Sequence, residues 1–298
     1  MLSIVLPTGS MEEVTLKLFE GGYLKVVRFD QRGYEGNIND PRLKRVKFLR
    51  PQDIPRYITR GNFDLGITGQ ELLVETGFLE KVIHVCSLPL TKSNVGIVRI
   101  VLCVDQDSKI QAPKDIPAGS IVETEYPNIT RSYFEKLGIK VRIELSHGAT
   151  EAKVPDLCTA IVELTETGAS LKQNKLRIVD VIMESNACLI ANPESYKKFE
   201  KQINEIKDLL LGAVLARDKV HLTFHLPKSK LEEAESFLPA LKKPTINQLH
   251  GQPDWLSVSV VVPKEPSDEH EGISTIISKL KDLGATDILA WPVNIAVI

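Results

Sequence analysis

The sequence predicts an α/β protein in which a large, two-lobed unit is followed by a small C-terminal domain. Short apolar runs alternate with helical patterns through most of the chain, which is typical of βαβ units on a parallel sheet. The 298 residues exceed what one core usually fills, so more than one domain is expected. Residues 219–298 change to a βαββαβ order, which favours a separate domain there.

The first lobe is predicted to contain residues 1–90 together with residues 181–211. After a short first strand, Ser10-x-x-Glu13 predicts a capping box that opens a helix. A strand is expected at Phe63–Ile67, and the apolar stretch Val181–Ala191 is expected to return the chain to this lobe. The second lobe is then residues 91–180, where the strand and helix pattern repeats.

The C-terminal domain is predicted to span residues 219–298. Val220, Leu222, Phe224 and Leu226 alternate with polar residues, which indicates a half-buried strand. Ser229-x-x-Glu232 predicts a second capping box and a helix after it. The complete βαββαβ order is that of a ferredoxin-like domain.

Charge and apolar content exclude several classes of protein. The net charge of −2 and the pI of about 6.3 argue against a nucleic-acid or membrane-surface binder, which would show a basic face. No stretch has the roughly 18 apolar residues of a membrane span, and the N-terminus is expected to be a strand rather than a signal peptide. The four cysteines lack CxxC spacing, so reduced thiols in the cytoplasm are expected.

The strongest local signal for chemistry is the segment from Glu163 to Leu171. It follows a strand and opens a helix, and it places glycine and hydroxyl residues at the turn. Backbone N–H groups at such a turn, with the hydroxyls of Thr167 and Ser170, suit a phosphate monoester. An ordinary capped turn remains the alternative. Neither a Walker loop nor a dinucleotide fingerprint is present.

Four ordered motifs resemble the ATP phosphoribosyltransferase family, and the resemblance covers nearly the whole chain. Four motifs in one order are more specific than any one of them. The motifs are Leu6-Pro7-Thr8-Gly9-Ser10, Leu49-Arg50-Pro51-Gln52-Asp53-Ile54-Pro55-Arg56-Tyr57, Asp64-Leu65-Gly66-Ile67-Thr68-Gly69 and Ala160-Ile161-Val162-Glu163-Leu164-Thr165-Glu166-Thr167-Gly168, with Pro244-Thr245-Ile246 near the C-terminus.

The resemblance implies a two-lobed, periplasmic-binding-protein-like catalytic unit and a C-terminal domain that senses histidine. It implies that ATP and phosphoribosyl pyrophosphate form N1-phosphoribosyl-ATP and pyrophosphate, the first step of histidine biosynthesis. Mg²⁺ is the expected cofactor, with its protein ligands unassigned, and histidine is the expected feedback inhibitor. The family also implies dimers that assemble into hexamers.

Residue roles follow from matching positions in the motifs. Arg50 and Arg32 are expected to contact pyrophosphate and nucleotide phosphates, because guanidinium groups suit phosphate oxygens. Gly9, Thr68 and Gly69 are expected to line the ATP site. The residues expected to bind phosphoribosyl pyrophosphate are Glu163, Glu166, Thr167, Gly168, Ala169, Ser170 and Leu171. Those expected to bind the inhibitor histidine are His225, Leu241, Thr245, Val261 and Asp287.

Three positions depart from the family pattern. Thr8 stands where lysine is usual, Glu163 where aspartate is usual, and His225 where aspartate or asparagine is commoner.

Two other functions fit an α/β unit with a small appended domain: a prephenate dehydratase-like enzyme and a non-enzymatic solute-binding protein. The first should show Thr-Arg-Phe, for which Thr130-Arg131-Ser132 is a poor substitute. The second should carry a secretion signal.

Overall fold

A computed structural model describes residues 1–30, 33–90, 97–239, 243–268 and 270–297. Their contacts divide the chain into two compact units, residues 1–207 and 208–298. Before residue 91 the helices and strands are β1 (Leu2–Pro7), α1 (Glu12–Gly21), β2 (Val26–Arg28), β3 (Glu35–Ile38), β4 (Leu43–Leu49), α2 (Ile54–Thr59), β5 (Leu65–Gly69), α3 (Gln70–Thr76) and β6 (Ile83–Leu88).

The chain then forms the elements of a second sheet, returns to the first, and ends in the second unit. The next elements are β7 (Val98–Asp105), β8 (Ile121–Thr124), α4 (Pro127–Leu137), β9 (Arg142–Leu145), β10 (Ala160–Thr165), α5 (Ala169–Gln173), β11 (Leu176–Ser185), β12 (Ala187–Ala191) and α6 (Pro193–Ala216). The last are β13 (Lys219–Pro227), α7 (Leu231–Glu235), β14 (Thr245–Leu249), β15 (Gln252–Pro263), α8 (Ile273–Asp282) and β16 (Thr286–Pro292).

Two sheets make up the first unit. The first has the order β2-β3-β4-β1-β5-β12-β6, and the second has the order β11-β7-β10-β8-β9. In the first, β1 runs parallel to β4 and to β5. In the second, β10 runs parallel to β8. The chain passes between the sheets after β6 and again between β11 and β12, which is the expected periplasmic-binding-protein-like architecture.

The return of the chain to the first sheet is later than residue 181. Strand β11 pairs with β7 as far as Ser185, and β12 pairs with β5 from Ala187 onward. The apolar stretch Val181–Ala191 is therefore two strands in different sheets. An apolar run shows burial, but it carries no signal for the point at which a strand changes sheet.

The predicted capping boxes do not form. Helix α1 begins at Glu12 after a 3-10 turn at Gly9–Met11, and its N-cap Met11 makes no side-chain cap. Helix α7 follows a 3-10 turn in the same way, and its N-cap Lys230 makes no side-chain cap. In both places the short turn moves the helix start beyond the predicted serine.

The second unit has the predicted βαββαβ order, and its sheet has the order β14-β15-β13-β16. All neighbouring strands in it are antiparallel. The alternation read from the sequence is confirmed, since Leu222, Phe224 and Leu226 are fully buried. They pack with Ile276 and Leu280 of α8 in one core. The opposite face of β13 presents His221, Thr223 and His225, which are half-buried.

The state of the thiols agrees with the expectation from composition. The structure describes all four cysteines, none of which is in a disulfide, and three of them are buried. Burial raises the pKa of Cys103 to about 12 and the pKa of Cys188 to about 12. Within the described ranges, no helix combines the length and the apolar character that a membrane span requires.

Gly66 is a close-packing point between β5 and α2. A Cβ atom there would lie 2.7 Å from Ile54 Cγ2 and 3.1 Å from Ile58 Cδ1. We expect Gly66→Ala to lower the free energy of unfolding by about 1–3 kcal/mol, because an overpacked core must shift. Ile54→Leu moves the branch methyl away, so the double variant should lose less than the sum of the two single variants. Urea denaturation measures all three, and strict additivity would contradict this contact.

Candidate functional site

A cavity of about 660 Å³ lies between the two sheets of the first unit. Strand ends and the starts of helices supply its wall from both lobes. The first lobe contributes Thr8, Gly9, Ser10, Met11, Arg50, Pro51, Gln52, Glu71, Leu72, Glu75 and Thr76, and the second contributes Glu125, Tyr126, Leu145, Ser146, His147 and Leu164. Clefts at the carboxyl ends of strands are the usual ligand sites of α/β proteins.

Parallel pairing brings Gly9 and Arg50 to one edge of the first sheet. Pro7 of β1 pairs with Leu49 of β4, and the Thr8 N–H donates to the Leu49 carbonyl over 2.8 Å. The residues that follow both strands therefore open into the same space. Gly9 has a φ of +76°, a conformation that glycine adopts without strain. The Arg50 side chain is exposed on the cavity wall.

Thr68 and Gly69 occupy different environments at the end of β5. Thr68 is fully buried, and its hydroxyl donates to the Pro51 carbonyl over 2.8 Å. It thus fixes the segment that follows Arg50 and is not on either cavity wall. Gly69 lines an adjoining cavity of about 270 Å³. A Cβ at Gly69 would lie 2.0 Å from Glu71 Oε1, so the Glu71 carboxyl would have to move to admit a side chain there.

The predicted phosphate segment forms a loop between β10 and α5. Gly168 has a φ of +76° and its N–H donates to Thr165 Oγ1 over 2.9 Å. Thr167 Oγ1 accepts from the Ala169 N–H over 3.3 Å. The Ser170 hydroxyl donates to Glu151 Oε1 over 2.7 Å. The side chains of Thr167, Ala169 and Ser170 are exposed, which suits contact with a ligand.

The remaining predicted members of this segment lie apart from the exposed turn. Leu171 is 2% exposed and packs in the core behind the loop, so its side chain faces away from the solvent. Glu166 lines the adjoining cavity with Gly69. Glu163 is half-buried within β10, and its Oε1 accepts from the Leu164 N–H over 3.0 Å.

Burial raises the pKa of Glu163 to about 7, and the charges of Glu151 and Glu125 add to this effect. Hydrogen bonds from the Leu164 N–H and from Thr150 oppose it. Near neutral pH this carboxyl is therefore close to its midpoint of ionisation. A group in this state accepts hydrogen bonds from ligand hydroxyls when ionised, and it donates one when protonated.

A polar chain of side chains supports the loop at residues 146–153. Lys153 pairs with Glu123 and donates to Ser146 Oγ over 2.9 Å. Ser146 and Thr150 share a hydrogen bond of 2.8 Å. This loop carries Glu151, the acceptor for Ser170. Sequence reasoning missed it, because its residues match no motif and approach the phosphate segment only in the folded chain.

Glu71 is a buried acid that sequence reasoning also missed. It is 4% exposed, and burial raises the pKa of its carboxyl. The Ser185 hydroxyl donates to Glu71 Oε2, and the Glu71 N–H donates to Ser185 Oγ over 3.1 Å. Glu71 belongs to the first lobe, and Ser185 ends β11 of the second sheet. This pair therefore joins the two lobes at the point where the chain returns to the first sheet.

Four residues predicted to bind histidine lie on the four strands of the second unit. His225 Nδ1 and Asp287 Oδ2 are 2.9 Å apart. Hydrogen bonds from Thr286 and His225 lower the pKa of Asp287. Thr245 pairs with Ser259, which in turn pairs with Thr223.

Val261 lies farther along this sheet than the other three residues. It pairs with His221, whereas His225 pairs with Ser257. Four residues of strand separate those two pairs, or roughly 13 Å. His221 instead stacks on Trp291 with ring centroids 4.7 Å apart. The structure therefore brings His225 and Asp287 together and leaves Val261 at the other end.

Two predicted residues, Arg32 and Leu241, lie outside the described residues. Within the described ranges, no group of three or more histidine, cysteine, aspartate and glutamate side chains is arranged to hold a metal ion.

Comparisons with known proteins give consistent results. A family model described as ATP phosphoribosyltransferase matches residues 50–212, and one described as the HisG C-terminal domain matches residues 216–295. A relative from Chlorobium chlorochromatii (strain CaD3), named ATP phosphoribosyltransferase, is 40% identical over 99% of this chain and 97% of its own length. One of the same name from Koribacter versatilis (strain Ellin345) is 38% identical over 100% of this chain and 99% of its own.

A solved structure gives the same result for the fold. It is the ATP phosphoribosyl transferase (HisG:HisZ) complex from Thermotoga maritima, with a TM-score of 0.58 and 25% sequence identity. The alignment covers 71% of this chain and 99% of the Thermotoga chain.

The raised pKa of Glu163 predicts a pH-dependent stability. The folded protein holds this proton up to about pH 7, whereas the ordinary value is 4.5, so ionisation costs stability as the pH rises between them. Glu163→Gln removes that cost. Relative to the unmodified chain, the variant should gain about 2–3 kcal/mol more at pH 8 than at pH 5.

Urea denaturation at the two pH values measures this difference. Glu135→Gln, at an exposed position on α4, is the matched control and should show no pH-dependent gain. An equal effect of Glu163→Gln at both pH values would mean that the carboxyl titrates normally.

Proposed function

The chain belongs to the ATP phosphoribosyltransferase family, and from that membership we propose that its cleft joins ATP to phosphoribosyl pyrophosphate and releases pyrophosphate. The observation that carries this proposal is 40% identity over 99% of the chain, with family models matching both units. The C-terminal unit marks the long form. The reaction opens histidine biosynthesis. These matches favour the transferase over a prephenate dehydratase-like enzyme or a solute-binding protein.

The reaction places few chemical demands on side chains. The lone pair of adenine N1 attacks ribose C1, and the C1–O bond breaks so that pyrophosphate leaves with its electron pair. The attack needs no general base, because N1 already carries a lone pair. Positioning and charge neutralisation then lower the barrier through an oxocarbenium-like state.

Arg50 neutralises the pyrophosphate as it departs. Its side chain lies on the cavity wall, and the Thr68 hydroxyl fixes the next residue by donating to the Pro51 carbonyl. Gly9 and Gly69 leave room for the nucleotide beside it. The family resemblance assigns a similar phosphate contact to Arg32. Thr68 thus serves the ATP site indirectly, through the segment that carries Arg50.

The second lobe holds the phosphoribosyl group. The loop from Glu166 to Ser170 and the N–H of Leu171 bind the 5-phosphate, and Glu163 accepts hydrogen bonds from the ribose hydroxyls. Exposed hydroxyls at Thr167 and Ser170, and the positive φ of Gly168, support this assignment. Ser170 exchanges its bond to Glu151 for a phosphate oxygen when the ligand binds.

Mg²⁺ fits this cleft as an ion carried mainly by substrate oxygens. Mg²⁺ commonly uses one or two carboxylates and the phosphates of its substrate. Two carboxylates of the described residues suit that pattern, because Glu151 accepts from Ser170 of the phosphate loop and Glu163 lies on the strand that leads into it. When bound, the ion neutralises charge on the leaving pyrophosphate.

The second unit senses histidine and thereby regulates the enzyme. A separate sheet domain is unnecessary for the chemistry, and His225 on β13 forms a polar pair with Asp287 on the edge strand β16. Asp287 suits the ammonium group of the effector, while Thr245 and Leu241 remain assignments from the family resemblance. For Val261 to contact the effector, the binding site would have to extend along the sheet from His225 to His221.

Assembly and location complete the proposal. We assign dimers and hexamers to this chain from the family resemblance. A reducing compartment, most simply the cytoplasm, suits four cysteines of which none is in a disulfide.

Pyrophosphate release is the direct test of the proposed reaction. The full chain should release pyrophosphate when ATP, phosphoribosyl pyrophosphate and Mg²⁺ are all present. Omission of ATP or of phosphoribosyl pyrophosphate should abolish the release. Turnover of either substrate without the other would contradict the transfer.

Arg50→Ala should lower kcat about 100-fold, by analogy with the loss of one electrostatic donor in the transition state. Arg50→Lys should recover only part of that loss, because a lysine lacks the two-pronged guanidinium. Steady-state kinetics on both variants measure the effect. A raised KM with an unchanged kcat would assign Arg50 to ground-state binding instead.

Asp287→Asn should weaken inhibition by histidine roughly 10-fold, within the usual range of coupling between sites. The substitution removes the negative charge that attracts the effector, and asparagine tolerates the φ of +50° at this position. Catalysis without histidine should be unchanged. Lys281→Gln, at an exposed position on α8, is the control. Full inhibition of Asp287→Asn would remove this residue from the effector site.

A further inference from the structure

Glu75 of the first lobe caps a helix of the second lobe. It lies on α3, and its carboxylate accepts from the N–H groups at the start of α4. The Asn128 N–H lies 3.0 Å from both carboxylate oxygens, and the Ile129 N–H lies 2.9 Å from Oε2. The Asn128 side chain returns the contact, because its Nδ2 donates to the Glu75 carbonyl over 2.9 Å.

Helix α4 has no cap of its own. The first N–H groups of any helix lack partners within it, and the residue before the helix usually supplies a side-chain acceptor. Here that residue is Tyr126, which makes no side-chain cap. The first helical residue is Pro127, which has no N–H, so the donors at Asn128 and Ile129 need an acceptor from elsewhere. The other lobe supplies it, as a negative charge at the positive end of the helix.

This contact lies on the wall of the reaction cleft. Glu75 and Tyr126 both line the 660 Å³ cavity, from opposite lobes. Helix α3 follows directly from Gly69. Helix α4 packs on the second sheet, whose strand β10 leads into the phosphate loop. The spacing between α3 and α4 therefore affects the distance between the half of the site that carries Arg50 and the half that carries Gly168.

We propose that Glu75 is a positioning residue, which clasps the two lobes at the spacing that substrate binding requires. The proposal rests on the proposed function for the identity of the substrates. Substrates that must contact both lobes bind only to molecules with the correct spacing. Loss of the clasp lowers the population of those molecules, and the apparent affinity falls in proportion.

The kinetic test compares Glu75→Gln with Glu80→Gln. Glutamine keeps the shape but loses the charge and one acceptor oxygen, whereas Glu80 is an exposed residue of the same lobe. For Glu75→Gln we expect the KM for phosphoribosyl pyrophosphate to rise about 5–10-fold. The kcat at saturation should stay within about 2-fold, since bound substrates restore the spacing. An unchanged KM, or a fall in kcat alone, would overturn the proposal.

A distance measurement without substrates tests the clasp itself. Spin labels at Lys17→Cys on α1 and Lys136→Cys on α4 occupy exposed positions in the two lobes. A Cys86→Ser background removes the half-buried thiol, and the other three cysteines are buried. Glu75→Gln should broaden or lengthen the distance distribution between the labels, and Glu80→Gln should leave it unchanged. Identical distributions in the two variants would contradict the clasp.

Asn128→Ala keeps the test decisive if Glu75→Gln fails to fold. This variant removes only the Nδ2 donor and leaves the backbone N–H groups for the carboxylate, so a smaller change of the same kind is expected in KM and in the label distances. No change in either would count against the clasp. If the unmodified chain releases no pyrophosphate, the proposed function fails, while the label distances still decide whether Glu75 holds the lobes.

Discussion

Five carboxylates lie around the cleft between the two lobes, although both proposed substrates carry negative charge. Glu71, Glu75 and Glu125 stand on the wall of the main cavity, and Glu163 and Glu151 lie near the loop assigned to the 5-phosphate. Unscreened, these charges would repel both proposed substrates. Before a substrate binds, four of the five accept hydrogen bonds from nearby donors or have a raised pKa. Glu75 lies on the N-terminus of α4, Glu71 is buried against Ser185, Glu151 accepts from Ser170, and burial raises the pKa of Glu163 to about 7.

The arrangement of the sheets explains why these contacts occur between lobes. The chain enters the second sheet after β6 and leaves it after β11, so each lobe supplies one wall of the cleft. Ser185 and Glu75 each join elements on opposite sides of that division. The contacts that hold Glu71 and Glu75 therefore also join the lobes. The proposed site uses Arg50 from one wall and the Gly168 loop from the other. It therefore needs these contacts both to hold the acids and to keep the two walls together.

Local patterns in the sequence predicted the fold well. The alternation at Leu222, Phe224 and Leu226 predicted the buried face of β13, and the segment around Gly168 was correctly predicted to follow a strand and open a helix. The predicted cap at Ser10 was wrong. Ser10 has the spacing of a capping box with Glu13, but it lies inside the 3-10 turn at Gly9–Met11, and the helix begins only at Glu12. The motif predicted that Thr68 lines the ATP site, yet its side chain faces inward to Pro51. Contacts such as Glu75 with Asn128 join residues far apart in the chain and leave no spacing signal.

The most direct test of this account is a crystal structure of the full chain with phosphoribosyl pyrophosphate. We expect the 5-phosphate on the N–H groups of residues 167–170, with Ser170 released from Glu151. We expect the pyrophosphate within hydrogen-bonding distance of Arg50, so that one ligand contacts both lobes. A ligand held entirely by one lobe, or a 5-phosphate bound away from Gly168, would contradict the account.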